Sequence, residues 1–112
     1  MNQSKTTSET TWTLISNHGA CLIYVTRHPE ATIRQIADAV GITERAAARI
    51  LRDLRDEGYV VAHRIGRRNV YQVSPDQPLR HPVGEEAQVT DLLDGLVPAD
   101  DLRRSTRRPN RR

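Results

Sequence analysis

Between Thr32 and Gly58 the chain carries two capped, apolar-periodic segments, each closed by a glycine. Thr32, with Gln35 three residues later, is a capping-box signature, and it opens a helix over 33–40. Ile33, Ile36, Ala37 and Val40 fall on one side of that helix. Gly41 permits a left-handed turn, Ile42 turns inward, and Thr43 caps a second helix running from Glu44 to about Glu57. Gly58 is positioned to end it in the same way. So short a connection holds the two helices as packed neighbours.

The flanking sequence completes a small domain. Ser16 or Asn17 can cap an earlier helix that His28-Pro29 stops after Arg27, with Cys21, Leu22 and Val25 on one face. After Gly58 come two β-prone runs, 59–65 and 70–73, joined by Gly66-Arg-Arg-Asn69; these predict a hairpin with a loop of about four residues. Ser74-Pro75, Pro78 and Pro82 mark a linker, and Glu85 to Leu96 reads as a short amphipathic helix through Val89, Leu92, Leu93 and Leu96. With 112 residues, no Phe and 4% aromatics, the chain has room for one domain whose core must be Leu, Ile, Val and Ala. The expectation is an α+β, mainly helical fold: a three-helix core, a β-hairpin and an extra short C-terminal helix. Its divisions are a disordered 1–11, a folded 12–74, a linker and helix over 75–97, and a disordered Arg-rich tail over 98–112. Trp12 to Ile15 is expected to form a short strand or an extended arm.

Charge is segregated along the chain. Residues 27–73 sum to +3, residues 74–102 to −6, and the last ten, with six Arg and no acid, to +6. A basic middle and an Arg tail point to a polyanionic partner. The second helix of the pair sharpens this. At about 100° per residue, Ala47, Ile50, Leu51 and Leu54 cluster on one side, while Arg45, Arg49 and Arg52 lie within roughly 60° of each other on the opposite side. Guanidinium groups grip phosphate and read guanine edges bidentately. Arg45 is nearest the N-terminal end and is the leading candidate for base contact, with Thr43, Glu44 and Ala48 as neighbours. Glu44 accepts from cytosine N4 or simply favours the helix dipole. The competing reading of the stripe is a solvated face on which Asp53, Asp56 and Glu57 pair with Arg49 and Arg52 at about i+4 spacing. Against it, the hairpin tip independently carries Arg64, Arg67 and Arg68, placed for phosphate or minor-groove contact.

The stretch from Thr32 to Val60, followed by Gly66-Arg-Arg-Asn69 before Val-Tyr-Gln-Val, resembles the winged helix-turn-helix core and wing of MarR- and ArsR-like bacterial regulators over roughly residues 17–73. The resemblance implies a transcriptional regulator that binds double-stranded DNA as a homodimer, its two recognition helices entering successive major grooves of a pseudopalindromic site. Two departures stand out. The long terminal helices of MarR-like dimers are missing, and so is the metal-binding cysteine pair of many ArsR-like sensors. The Val89/Leu92/Leu93/Leu96 stripe therefore has two readings, folding back on its own domain or pairing with a second subunit. Trp12 is either part of that interface, with Leu14 and Ile15, or plain core. The tail offers nonspecific phosphate attraction, a solubilising end, or a contact with the acidic segment 76–101.

Other chemistry finds little support. Cys21 sits among Leu22 and Val25 with no Lys or Arg within a helical turn, the setting of an inert thiol and not of a redox sensor. His18 and Cys21 offer two metal ligands at most, and His28, His63 and His81 are scattered. No phosphate loop, carboxylate pair or nucleophilic triad stands out, so neither an enzyme nor a cofactor is expected. The longest apolar run, Ala20 to Val25, is far too short to span a membrane, and the polar N-terminus lacks a signal-like apolar region, so a cytoplasmic protein is expected. No effector pocket is legible. The rival from another class is a winged-helix protein-interaction module without DNA reading; its docking face would more often be apolar. RNA binding through the tail is a second rival.

Overall fold

The computed structural model describes residues 12–80, 83 and 86–109; the expectations for 1–11, the end of the tail, His81, Pro82 and the Glu85 helix start lie outside them. Helix α1 (Asn17–Arg27) is capped by Ser16, whose Oγ accepts from the Gly19 N–H at 3.1 Å. It buries Cys21, Leu22, Val25 and Thr26. Helix α2 (Ile33–Val40) has the full capping box. Thr32 Oγ1 accepts from the Gln35 N–H, and Gln35 Oε1 accepts from the Thr32 N–H. Helix α3 (Glu44–Asp56) is capped by Thr43 Oγ1 on the Ala46 N–H, and Glu57 is its C-cap.

Both helices end by one device. Gly41 and Gly58 sit at φ of 85° and 83°, and the next residue's N–H reaches back five positions, Ile42 to Ala37 O and Tyr59 to Leu54 O. A Cβ at either glycine would strain that left-handed conformation.

Strands β1 (Val60–Ile65) and β2 (Arg68–Val73) form one antiparallel hairpin, with Ile65 opposite Arg68. The loop is thus the two residues Gly66-Arg67, not the four expected. Gly66 at φ 64° supplies the positive dihedral that two-residue hairpins favour, and Arg68 and Asn69 are recruited into the strand. Val60, Tyr71 and Val73 are buried against the helices, joining Cys21, Val25, Ile36, Ala47 and Leu51 in one core. The Tyr71 N–H donates to Pro29 O at 2.8 Å, tying the hairpin to the α1–α2 connection.

The C-terminal region departs most from expectation. Helix α4 spans only Val89–Asp94. Ahead of it, Leu79 N–H donates to Ala87 O and Val89 N–H to Gln77 O, an antiparallel bridge that holds residues 87–88 extended and delays the helix. Val89 and Leu93 are buried inside this chain beside Val97, so half of the stripe folds back on its own domain, while Leu92 is half-buried and Leu96 is left 46% exposed.

Residues 99–105, expected to lie in a disordered tail, form helix α5 (Ala99–Ser105). Asp100 and Asp101 occupy its first turn and Arg103 and Arg104 its last, complementing the helix dipole and pairing at i+3. Ser105 is buried and its hydroxyl donates to Thr26 O, while Gln72 Nε2 donates to Thr106 O at 3.2 Å. The basic end is thereby anchored on α1 and β2.

Trp12 to Ile15 forms no strand. The segment bends at Leu14-Ile15, and Trp12 and Leu14 stand 70% and 89% exposed, outside the core.

Cys21 is fully buried, and burial pushes its thiol up to about 11. Because that lies above the 9.0 of an exposed thiol, the folded state keeps its proton longer, and this contribution to stability is lost as pH rises from 9.0 toward 11. Alkylation of Cys21 at pH 8 is expected to be slow until the chain unfolds. Reaction at a free-thiol rate in the folded protein would contradict this burial.

Candidate nucleic-acid interface

The amphipathicity of α3 sets the interface. Ala47, Ile50, Leu51 and Leu54 are buried, which leaves Arg45, Arg49 and Arg52 exposed along the outer face. The competing expectation, that neighbouring acids neutralise this stripe, is not what the fold does. Asp53 instead meets His18 Nε2 of α1 at 2.8 Å, and Glu57 meets Arg80 at 3.3 Å. Among the described residues Arg45, Arg49 and Arg52 make no ion pair. Three guanidinium groups are therefore exposed on one face without an ion pair among the described residues, with Asp53 in the same depression as Arg45 and Arg49.

The other residues expected at the site fall into distinct positions. Thr43 is exposed; its hydroxyl oxygen accepts from the Ala46 N–H, which fixes where α3 begins and leaves its own proton to donate outward. Glu44 is exposed in the first turn, where the helix dipole favours an acid. Ala48 is exposed, a small side chain that lets a partner approach the helix closely. Thr43, Arg45 and Arg49 also line one shallow depression with His18.

The hairpin arginines do not act as one cluster. Side chains alternate across a strand, so Arg64 shares its face with Val60 and Ala62, the face turned toward the helices, whereas Arg68 lies on the opposite face. Arg67 occupies the loop itself, exposed. Arg68 Nη1 meets Glu30 Oε1 at 2.6 Å; with both partners more than half exposed, that pair contributes little to stability. Arg68 faces the α1–α2 connection, and Arg104 and Arg107 line the same depression. The basic C-terminal segment is thus gathered beside the hairpin, which sequence reasoning missed. The signal was present in the order Pro98, two acids, two arginines, a helix-favouring arrangement hidden within an Arg-rich stretch.

Residues 22–61 match the sequence family described as winged helix-turn-helix DNA-binding. The fold is a winged helix-turn-helix. The match runs from α1 into β1, so it contains Arg45, Arg49 and Arg52 of α3 and stops before the hairpin arginines. No curated protein matches the chain. Among the described residues no helix is long and apolar enough to cross a membrane, and no group of three or more His, Cys, Asp or Glu is arranged to hold a metal ion.

Proposed function

We propose that this winged helix-turn-helix chain is a cytoplasmic, sequence-specific regulator of transcription of the MarR- or ArsR-like kind, acting on double-stranded DNA as a homodimer. Helix α3 enters the major groove, and the wing lies on the backbone or in the minor groove. One observation carries the reading: Arg45, Arg49 and Arg52 form an exposed stripe on α3, while the nearby carboxylates Asp53 and Glu57 pair with His18 and Arg80 instead. A docking module would more often present an apolar face there.

The roles divide by chemistry. Arg45, nearest the N-terminal end of α3, reads a base edge; Arg49 and Arg52 follow along the groove. Arg64 and Arg67 contact phosphate, which positions the domain without reading sequence. Arg68, already facing Glu30, is the weakest member of the set.

Selection of bound sequences from a random DNA pool tests this. A pseudopalindrome with half-sites about one helical turn apart is the expected result. Recovery of no preferred sequence would overturn the regulatory reading. Arg67→Ala should weaken binding to all duplexes alike and reduce the salt slope by about one unit, measured by titration across a salt series. An unchanged slope would remove Arg67 from the phosphate contacts.

A further inference from the structure

A cavity of about 520 Å³ opens between the N-terminal end of α1, the C-terminal half of α3 and the linker. Its size is in the range of small-molecule sites. The lining is built in two parts. Leu22, Leu54, Tyr59, Leu79 and Leu92 supply apolar surface from four separate parts of the fold. The Tyr59 hydroxyl donates to Pro78 O at 2.6 Å, so toward the cavity it offers only an acceptor oxygen and no proton. The rim carries three carboxylates, Asp53 and Asp56 of α3 and Glu57 at its C-cap, against one imidazole, His18, which meets Asp53, and one guanidinium, Arg80, which meets Glu57. Among the described residues Asp56 makes no ion pair.

An apolar hollow with an acidic rim selects against anions and attracts cations. The same carboxylates are not arranged to hold a bare metal ion, since no metal-ligating cluster occurs among the described residues. An apolar floor also offers nothing to a fully hydrated cation. We propose that this cavity is a binding site for an organic cation with a bulky apolar body, its charge held at Asp56 on the acidic rim, beside the Glu57–Arg80 pair, and its body on the leucine floor. Asp53 lies about 12 Å along the axis from Arg45, so the occupant sits on the recognition helix without covering its leading end. This inference goes beyond the DNA reading, and its test contains no DNA, so the two fail separately.

The probes are three ions, titrated calorimetrically into the full chain. Tetraphenylphosphonium has both the charge and the apolar body; tetraphenylborate has the same shape with opposite charge; tetramethylammonium has charge alone. Saturable binding of the phosphonium with Kd below about 1 mM is expected, with neither control binding. The exposed substitutions Asp56→Asn and Glu57→Gln together should weaken phosphonium binding about tenfold by removing two rim charges. Because a double variant of surface residues can still disturb the Arg80 contact, Asp56→Asn alone serves as the second variant, with a smaller loss in the same direction. Three results overturn the proposal: no saturable phosphonium binding, equal binding of the borate, or unchanged affinity in both variants.

Discussion

Arg45→Ala is expected to cost about 1–3 kcal/mol of affinity for a selected duplex and to relax preference at a single base position. The size of the effect follows from placement. Arg45 is exposed in the first turn of α3, where the Thr43 cap fixes the helix start, and it makes no ion pair among the described residues that would have to break before DNA binds. Its guanidinium is therefore available for a bidentate pair with a base edge, the contact of greatest discriminating value. Alanine favours the helix at least as well as arginine, so the fold and the core packing of Ala47, Ile50 and Leu51 should persist. Binding measured side by side on selected and random duplexes separates this from a phosphate role. A loss shared equally by both would make Arg45 a backbone contact. No loss on either would remove α3 from the interface.

The parts of this fold that were legible in the sequence are those decided by local chemistry. Thr32 with Gln35, Thr43 ahead of Glu44, and the glycines at 41 and 58 each satisfy backbone groups within a few residues, so their neighbours suffice to read them. The outer and inner faces of α3 were legible for the same reason, since periodicity alone separates Arg45, Arg49 and Arg52 from Leu51 and Leu54. What could not be read depends on contacts distant in the chain. Asp53 looks like a partner for Arg49 at i+4, yet it turns to His18, 35 positions away. Arg68 reads as a loop-tip residue until the two-residue turn makes it a strand residue beside Glu30. Helix α5 had a local signal, but its docking, with Ser105 reaching back 79 positions to Thr26, is a contact no window over an Arg-rich stretch can reveal.

Leu93→Ala carries the second large expectation, a loss of about 2–5 kcal/mol of folding stability. Leu93 lies in α4 and is 0% exposed within this single chain, in the same core as Val89 and Val97. Truncation there deletes buried methyl groups and leaves a cavity that the short α4, bounded by the Gln77–Val89 backbone bond and Gly95, can collapse only in part. The measurement also decides between the two readings of the C-terminal stripe. If α4 belongs to the core of its own domain, Tm should fall by the same amount at every protein concentration. If the stripe instead held two subunits together, the alanine variant would flatten the concentration dependence that mass action gives a dimer, and the Tm difference from the parent would widen with concentration. Leu96 is the internal control: it is half exposed on the same helix–loop segment, so Leu96→Ala should cost far less stability than Leu93→Ala. Any homodimer then has to be built away from this stripe, where Trp12, Leu14, Val61 and Val83 are the exposed large apolar side chains among the described residues. A Leu96→Ala penalty as large as that of Leu93→Ala would reverse this assignment, placing Leu96 under a second subunit and the stripe at an interface.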